Sequence, residues 1–220
     1  MKTIIFDFDG TLTTKDQNLW RMLWQQCGYS IDENSPYRKL YVGHVFEKQV
    51  TRREWFEKTC EYFQKANCSK DDLIAIANKI TLIDGFEETI LTLYERGYDL
   101  YILSGGIKEI IEFVIKGFEK YFKKIESNSC VFDQDGKLKY LKPADCDFSG
   151  KSKYIKALKD KGVSEKDIIF VGNAENDEWV YKEGCKTICI NPTSADTNDS
   201  KKWNVVLSNV KNLKEILKYI

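Results

Sequence analysis

Two aspartates two residues apart follow an apolar stretch near the start of the chain, in Asp7-Phe8-Asp9-Gly10-Thr11. In extended backbone, residues i and i+2 project to the same side, so Asp7 and Asp9 can present both carboxylates at one point. Like charges that close repel and push one pKa up. A Mg²⁺ ion, which prefers oxygen ligands, removes the conflict. One carboxylate can then attack phosphorus while the other manages a proton. Taken alone, Asp9-Gly10 reads equally well as an ordinary turn.

Three further segments carry polar groups. Ser104-Gly105-Gly106 directly follows a strand-like run ending at Leu103. A hydroxyl with glycine amides at a helix N-terminus makes an anion site, although a plain strand-to-helix turn has the same composition. Lys151, in Ser149-Gly150-Lys151-Ser152-Lys153, falls at the start of a helical pattern. A cation there opposes the helix dipole, which suggests a nearby anion. Gly172-Asn173-Ala174-Glu175-Asn176-Asp177 follows the apolar run that ends at Val171, and also reads as a capped helix start.

The elements that must position these residues alternate. Strand-like runs are expected at Thr3–Phe8, Tyr98–Leu103, Asp167–Val171, Lys186–Ile190 and Trp203–Val206, several of them nearly continuous in apolar residues. Such runs suit a parallel sheet buried on both faces. Helical patterns lie between them, one opened by Asp84-Gly85-Phe86-Glu87 and closed by Gly97, another running from Lys151 to Lys161 and ended by Gly162. Asp135-Gly136 between two apolar runs predicts a hairpin. Residues 13–81 break the alternation, with Thr51-Arg52-Arg53-Glu54 and Ser69-Lys70-Asp71-Asp72 as helix starts and no good strand. The expectation is an α/β protein: a Rossmann-like parallel-sheet core from residues 1–12 and 82–220, with an inserted helical cap over residues 13–81.

Composition narrows the class. The 220 residues carry 34 basic and 34 acidic side chains, which leaves no electrostatic footprint for nucleic acid or an anionic membrane. With 42% hydrophobic residues the chain can fill a core, yet no stretch is long and apolar enough to span a bilayer. The opening run meets Asp7 at once, so no signal peptide is expected. Seven scattered cysteines without a C-x-x-C spacing read as reduced thiols, hence a cytoplasmic chain. His44 is the single histidine and has no nucleophile motif beside it, so a structural or surface role is expected.

In combination, Asp7-x-Asp9-x-Thr11, Ser104-Gly105-Gly106, Lys151 and the segment to Asp177 resemble the haloacid dehalogenase superfamily of phosphohydrolases, over nearly the whole chain. The run Asp84–Gly106 looks like the phosphoserine phosphatase branch. The resemblance implies Asp7 as nucleophile and Asp9 as general acid/base. It also implies Ser104 with Gly105 and Lys151 as phosphate-binding groups, Lys153 being the alternative lysine. Mg²⁺ would lie on Asp7, Asp9, Asn173 and Asp177. The family's fourth motif usually begins Gly-Asp, and here Asn173 stands in the aspartate's place. Dehalogenases of the family have Asn in this region but lack the second aspartate of the first motif, which this chain keeps as Asp9. The expected activity is Mg²⁺-dependent hydrolysis of a small phosphomonoester through an aspartyl-phosphate, acting on a small phosphorylated metabolite. The alternative is a weakly active or non-catalytic member that binds phosphorylated ligands. A receiver-type signalling domain would not need the helical insertion. In the phosphoserine branch a cap glutamate and a cap arginine hold the amino acid; Asp16 lies near the first and Arg52 and Arg53 near the second, neither arginine in a fixed register, so phosphoserine stays a candidate without being the favoured one.

Overall fold

The computed structural model describes residues 2–15, 17–193 and 202–220. Its centre is β1 (Thr3–Phe6), whose four residues are all buried. Alternation sorts them onto two faces. Ile4 and Phe6 pack with Leu100, Ile102, Ile169, Val171, Ile188 and Ile190. Ile5 packs on the other face with Ile168, Phe170, Cys189 and with Ile155 and Leu158. Burial on both sides is why these runs are continuously apolar rather than alternating.

The other strands are β2 (Asp99–Ile107), β3 (Phe122–Phe132), β4 (Leu138–Lys142), β5 (Ile168–Gly172), β6 (Lys186–Ile190) and β7 (Val205–Leu207). The seven-stranded sheet has the order β4-β3-β2-β1-β5-β6-β7. All pairs are parallel except β3 with β4, the hairpin whose turn places Gly136 at φ 74°. The chain builds outward from β1 first to one side and then, from β5, to the other. The strand order therefore reverses at β1, and in open α/β sheets ligands bind outside the carboxyl ends of the strands at such a point. The α/β parallel-sheet class expected from the sequence is the one observed.

Boundaries differ in instructive places. β2 was expected to stop at Leu103, with Ser104-Gly105-Gly106 opening a helix. Instead the strand runs on to Ile107, with an irregular register between Leu103 and Ile107, and α6 (Lys108–Val114) starts after it. Two glycines without side chains to pack let the strand bend there without ending it. The helix expected from Asp84 is α5 (Phe86–Glu95). Its cap is Gly85, at φ 73°, with no side-chain cap bond. A Cβ on Gly85 would lie 2.1 Å from Asn212 Oδ1, so this glycine is needed for closeness as well as for its backbone angle.

Between β1 and α5 lie α1 (Leu19–Gln26), α2 (Pro36–Val45), α3 (Arg52–Lys65) and α4 (Lys70–Ala77). Among the described residues from Thr14 to Thr81 there is no strand. α3 begins with the expected reciprocal cap: Thr51 N–H donates to Glu54 Oε2 at 2.8 Å and Glu54 N–H to Thr51 Oγ1 at 3.2 Å. At α4 the Ser69 N–H donates to Asp72 Oδ2 at 2.8 Å. Trp24, fully buried, is the centre of these helices, with Tyr29, Tyr37, Tyr62 and Phe63 rings all within 5.8 Å of its own. The two crossings to the sheet run side by side. Thr14 N–H donates to Thr81 O (2.9 Å), and Ile83 N–H donates to Leu12 O (3.0 Å). Among the described residues no helix is long and apolar enough to cross a membrane.

Candidate active site

Three adjacent strands deliver the polar residues to one edge of the sheet. Asp7 follows β1, with its amide still paired to Val171 O of β5 at 2.9 Å. Asn173 follows β5, and Ser104 lies in β2. α7 (Ser149–Asp160) brings Lys151 in its first turn.

Lys151 is fully buried, and its ammonium lies between two carboxylates. It donates to Asp7 Oδ1 at 2.8 Å and to Asp177 Oδ1. The other oxygen of Asp177 accepts from Asn173 N–H (2.9 Å) and Ala174 N–H (3.1 Å). Both Asp177 oxygens are thus engaged, by the lysine and by the loop that follows β5. Lys153, the alternative lysine, lies outside this cluster, two-thirds exposed and paired with Asp145. Lys151 can approach because the first turn of α7 carries Gly150: a Cβ there would sit 2.6 Å from the Asp145 carbonyl.

Burial sets the electrostatics. It pushes Asp7 up to about 8; Asp177 and Asp9 add to the rise while Lys151 opposes it. Burial also lifts Asp9 to about 7, against the Leu19 amide and Lys151, with Asp147 adding to the rise. For Lys151 burial works against the charge, but Asp177, Asp7 and Asp147 outweigh it and hold the ammonium above its usual range. Two buried carboxylates on one ammonium, with Asp9 beside them, carry more acidic than basic groups, an imbalance that a divalent cation would offset.

The oxygens fit such an ion. Asp9 Oδ1 and Asn173 Oδ1 are buried without hydrogen-bond partners, and hard oxygens are what Mg²⁺ takes. Among the described residues no trio of His, Cys, Asp and Glu side chains is grouped to hold a metal ion. A cation here would therefore draw on the Asn173 amide oxygen besides Asp7 and Asp9. Asn173 does not cap the following 3₁₀ segment (Glu175–Glu183); Ala174 holds that position. Its amide lies against Gly10 instead: a Cβ on Gly10, at φ 71°, would meet Asn173 Nδ2 at 2.3 Å.

Around Ser104 the backbone is tied outward. Gly106 N–H donates to Ser104 Oγ at 3.1 Å. Cys146, its thiol pushed up to about 12 by burial, donates to Ser104 O at 2.9 Å. Asn128 Nδ2 donates to Gly105 O (2.7 Å) and Gly106 O (3.2 Å), and its Oδ1 accepts from Ala144 N–H (2.8 Å). Asp147 sits beside Gly105, where a Cβ would lie 2.6 Å from its Oδ2, and accepts from Asn176 Nδ2 at 2.5 Å. Asp9 Oδ2 accepts from Leu19 N–H at 3.0 Å, which ties it to α1. Sequence reading missed Asn128, Cys146 and Asp147, since lone polar residues in a strand or loop carry no motif.

Asp16 lies outside the described residues. Arg52 reaches from α3 to Asp145 (3.2 Å) and to Ala144 O, while Arg53 is exposed and pairs with Glu57 one turn on. His44 Nδ1 lies 3.0 Å from Val50 O, away from this cluster. All seven cysteines are free thiols.

A family model of haloacid dehalogenase-like hydrolases matches residues 1–180. The 7-methylguanosine phosphate-specific 5'-nucleotidase A of Xenopus laevis is 32% identical over 156 residues, 60% of this chain and 53% of the nucleotidase. The chain thus spans about half the length of that relative. The phosphoserine phosphatase of Methanocaldococcus jannaschii is 28% identical over 231 aligned residues, covering 100% of this chain and 97% of that protein. Among solved structures, a substrate-bound phosphoserine phosphatase complex superposes with a TM-score of 0.76 at 22% identity, covering 100% of this chain and 98% of that one, a likeness of fold.

Proposed function

This chain belongs to the haloacid dehalogenase-like hydrolase family, and on that premise we propose that it is a Mg²⁺-dependent phosphatase of a small phosphomonoester. The observation that carries the reading is the buried Lys151 bridging Asp7 and Asp177, with Asp9 just after β1 and Ser104 within the neighbouring β2. Desolvating the Asp7 and Asp177 carboxylates costs stability, and a site that hydrolyses phosphate esters gives that cost a use.

In this reading Asp7 attacks phosphorus through one oxygen while the other accepts from Lys151. The bond from phosphorus to the ester oxygen breaks, and Asp9 gives that oxygen its proton. Burial raises Asp9, which favours the proton it must donate, and raises Asp7 as well, so the nucleophile must ionise before it attacks, which the Lys151 ammonium favours. Asp9 next takes a proton from water, whose oxygen attacks the aspartyl-phosphate and releases phosphate and the Asp7 carboxylate. Ser104, the Gly105 amide and Lys151 stabilise charge on the phosphoryl oxygens. Mg²⁺, when bound, would be held by Asp7, Asp9 and Asn173 and would supply charge neutralisation at the phosphoryl group. Asp177 serves by holding Lys151 and the loop after β5. Residues 13–81 act as the cap that excludes water and selects the ester.

The substrate is a small phosphorylated metabolite. Phosphoserine and 7-methylguanosine phosphate, taken from the names of relatives, head the compounds to screen. The test is hydrolysis of a panel of phosphate esters with Mg²⁺ and with excess chelator. The expected result is turnover of at least one ester that chelation abolishes. Asn173 favours a second reading, a weakly active or non-catalytic member that binds phosphorylated ligands, because an amide brings no charge to the cation. Binding of esters without turnover would select it.

A further inference from the structure

One bond at the site comes from the inserted helices rather than the sheet: Trp20 Nε1–H of α1 donates to Gly105 O at 2.8 Å. The ring is held edge-on by Trp55 (centroids 4.7 Å apart) and Phe56 (5.8 Å), both on α3. An indole can only donate, so the cluster aims one N–H at one carbonyl. We propose that Trp20 is a positioning residue that couples the seating of α1 to phosphate binding at Ser104. This rests on the reading of Ser104 and Gly105 as phosphate-binding groups.

The coupling passes through a single peptide unit. In a trans peptide the C=O and the next N–H point in opposite directions. Fixing Gly105 O therefore aims Gly106 N–H, which donates to Ser104 Oγ at 3.1 Å. With that acceptor position filled, Ser104 keeps its O–H to donate to a phosphoryl oxygen. The residue before Trp20 completes the link, because Leu19 N–H holds Asp9 Oδ2 at 3.0 Å. The first turn of α1 thus touches both the proposed acid/base and the proposed phosphate site. By reciprocity, phosphate bound at Ser104 favours seated α1 by the factor by which seated α1 favours phosphate.

The effect is bounded, because Gly105 O also accepts from Asn128 Nδ2 at 2.7 Å. Losing one of two neutral donors should weaken phosphate by about three- to tenfold. The test uses the full chain with Mg²⁺ and Trp20→Phe, which keeps an aromatic ring and removes the N–H. Trp20→Leu is a second variant with the same expectation. The comparator is Trp24→Phe, one turn along α1, because Trp24 Nε1 has no hydrogen-bond partner. Inorganic phosphate is titrated against each by calorimetry, and kcat and KM are measured on an ester that the wild type hydrolyses. The expected result is weaker phosphate and lower kcat for the Trp20 variants, and wild-type phosphate affinity for Trp24→Phe even if its melting temperature falls. Trp20 variants that lose melting temperature but bind phosphate as wild type does would overturn the proposal. A wild type that binds phosphate yet hydrolyses no ester would overturn the hydrolase reading instead, and the phosphate comparison would still decide the coupling.

Discussion

At the residue scale, the site turns on which oxygens are free. Asp177 has none to spare, whereas Asp9 Oδ1 and Asn173 Oδ1 are buried without partners. Asn173→Asp should tighten Mg²⁺, by about tenfold, because it adds a full negative charge beside a divalent cation. Turnover need not rise with it, since tighter metal binding does not itself stabilise the transition state. Titrating activity against Mg²⁺ for both forms checks this, and identical half-saturation would remove Asn173 from the metal site. Asp7→Asn should lower turnover by about a thousandfold or more while the fold persists. Circular dichroism with a coupled phosphate assay reads both, and activity within a few-fold of wild type would contradict the role given to Asp7. Asp7, Asp9, Ser104 and Asn173 stood out as candidates because each follows an apolar run, and Lys151 because it opens a helical pattern. Asn128 and Asp147 were not, because their partners are backbone and side-chain groups brought together only by the fold.

At the element scale, α7 is aimed by its first turn. A Cβ on Gly150 would lie 2.6 Å from the Asp145 carbonyl, so only glycine lets this turn pack so closely, and Lys151 follows it into the site. Gly150→Ala should displace that turn, cost about 1–3 kcal/mol, and lower activity by more than the stability loss explains. Denaturant titration beside kcat measurement tests it; a stability loss with full activity would show that Lys151 tolerates the shift. The run of Ser104 into β2 was hidden from sequence reading for a physical reason. Ser-Gly-Gly has the composition of a turn, and only pairing with β3 keeps it extended as far as Ile107. The helices of residues 13–81 were legible because their caps are local, as at Thr51 with Glu54. How they seat on the sheet was not, since contacts such as Trp20 to Gly105 and Arg52 to Asp145 span 85 and 93 residues.

At the scale of the whole molecule, the site costs stability that a cation returns. Burial raises Asp7 to about 8 and Asp9 to about 7 from an ordinary value of 3.8. Raised folded-state values mean that the native protein binds these protons more tightly than the unfolded chain does. Their contribution is fully present below about pH 4 and is lost as pH rises through 7 and 8. Metal-free protein should therefore lose melting temperature as pH rises from 5 to about 8.5, and Mg²⁺ should restore more of it at the alkaline end. Calorimetric scans with chelator and with Mg²⁺ check this, and a flat profile in chelator would contradict the burial argument. The central claim is that Asp7 takes the phosphoryl group from a small phosphate ester. It is tested most directly by acid-quenching the enzyme during turnover with Mg²⁺ and reducing it with borohydride, which converts an aspartyl-phosphate to homoserine. Peptide mass mapping should find homoserine at position 7, dependent on both substrate and Mg²⁺. Turnover with an unmodified Asp7, or with the label on another aspartate, would contradict the account.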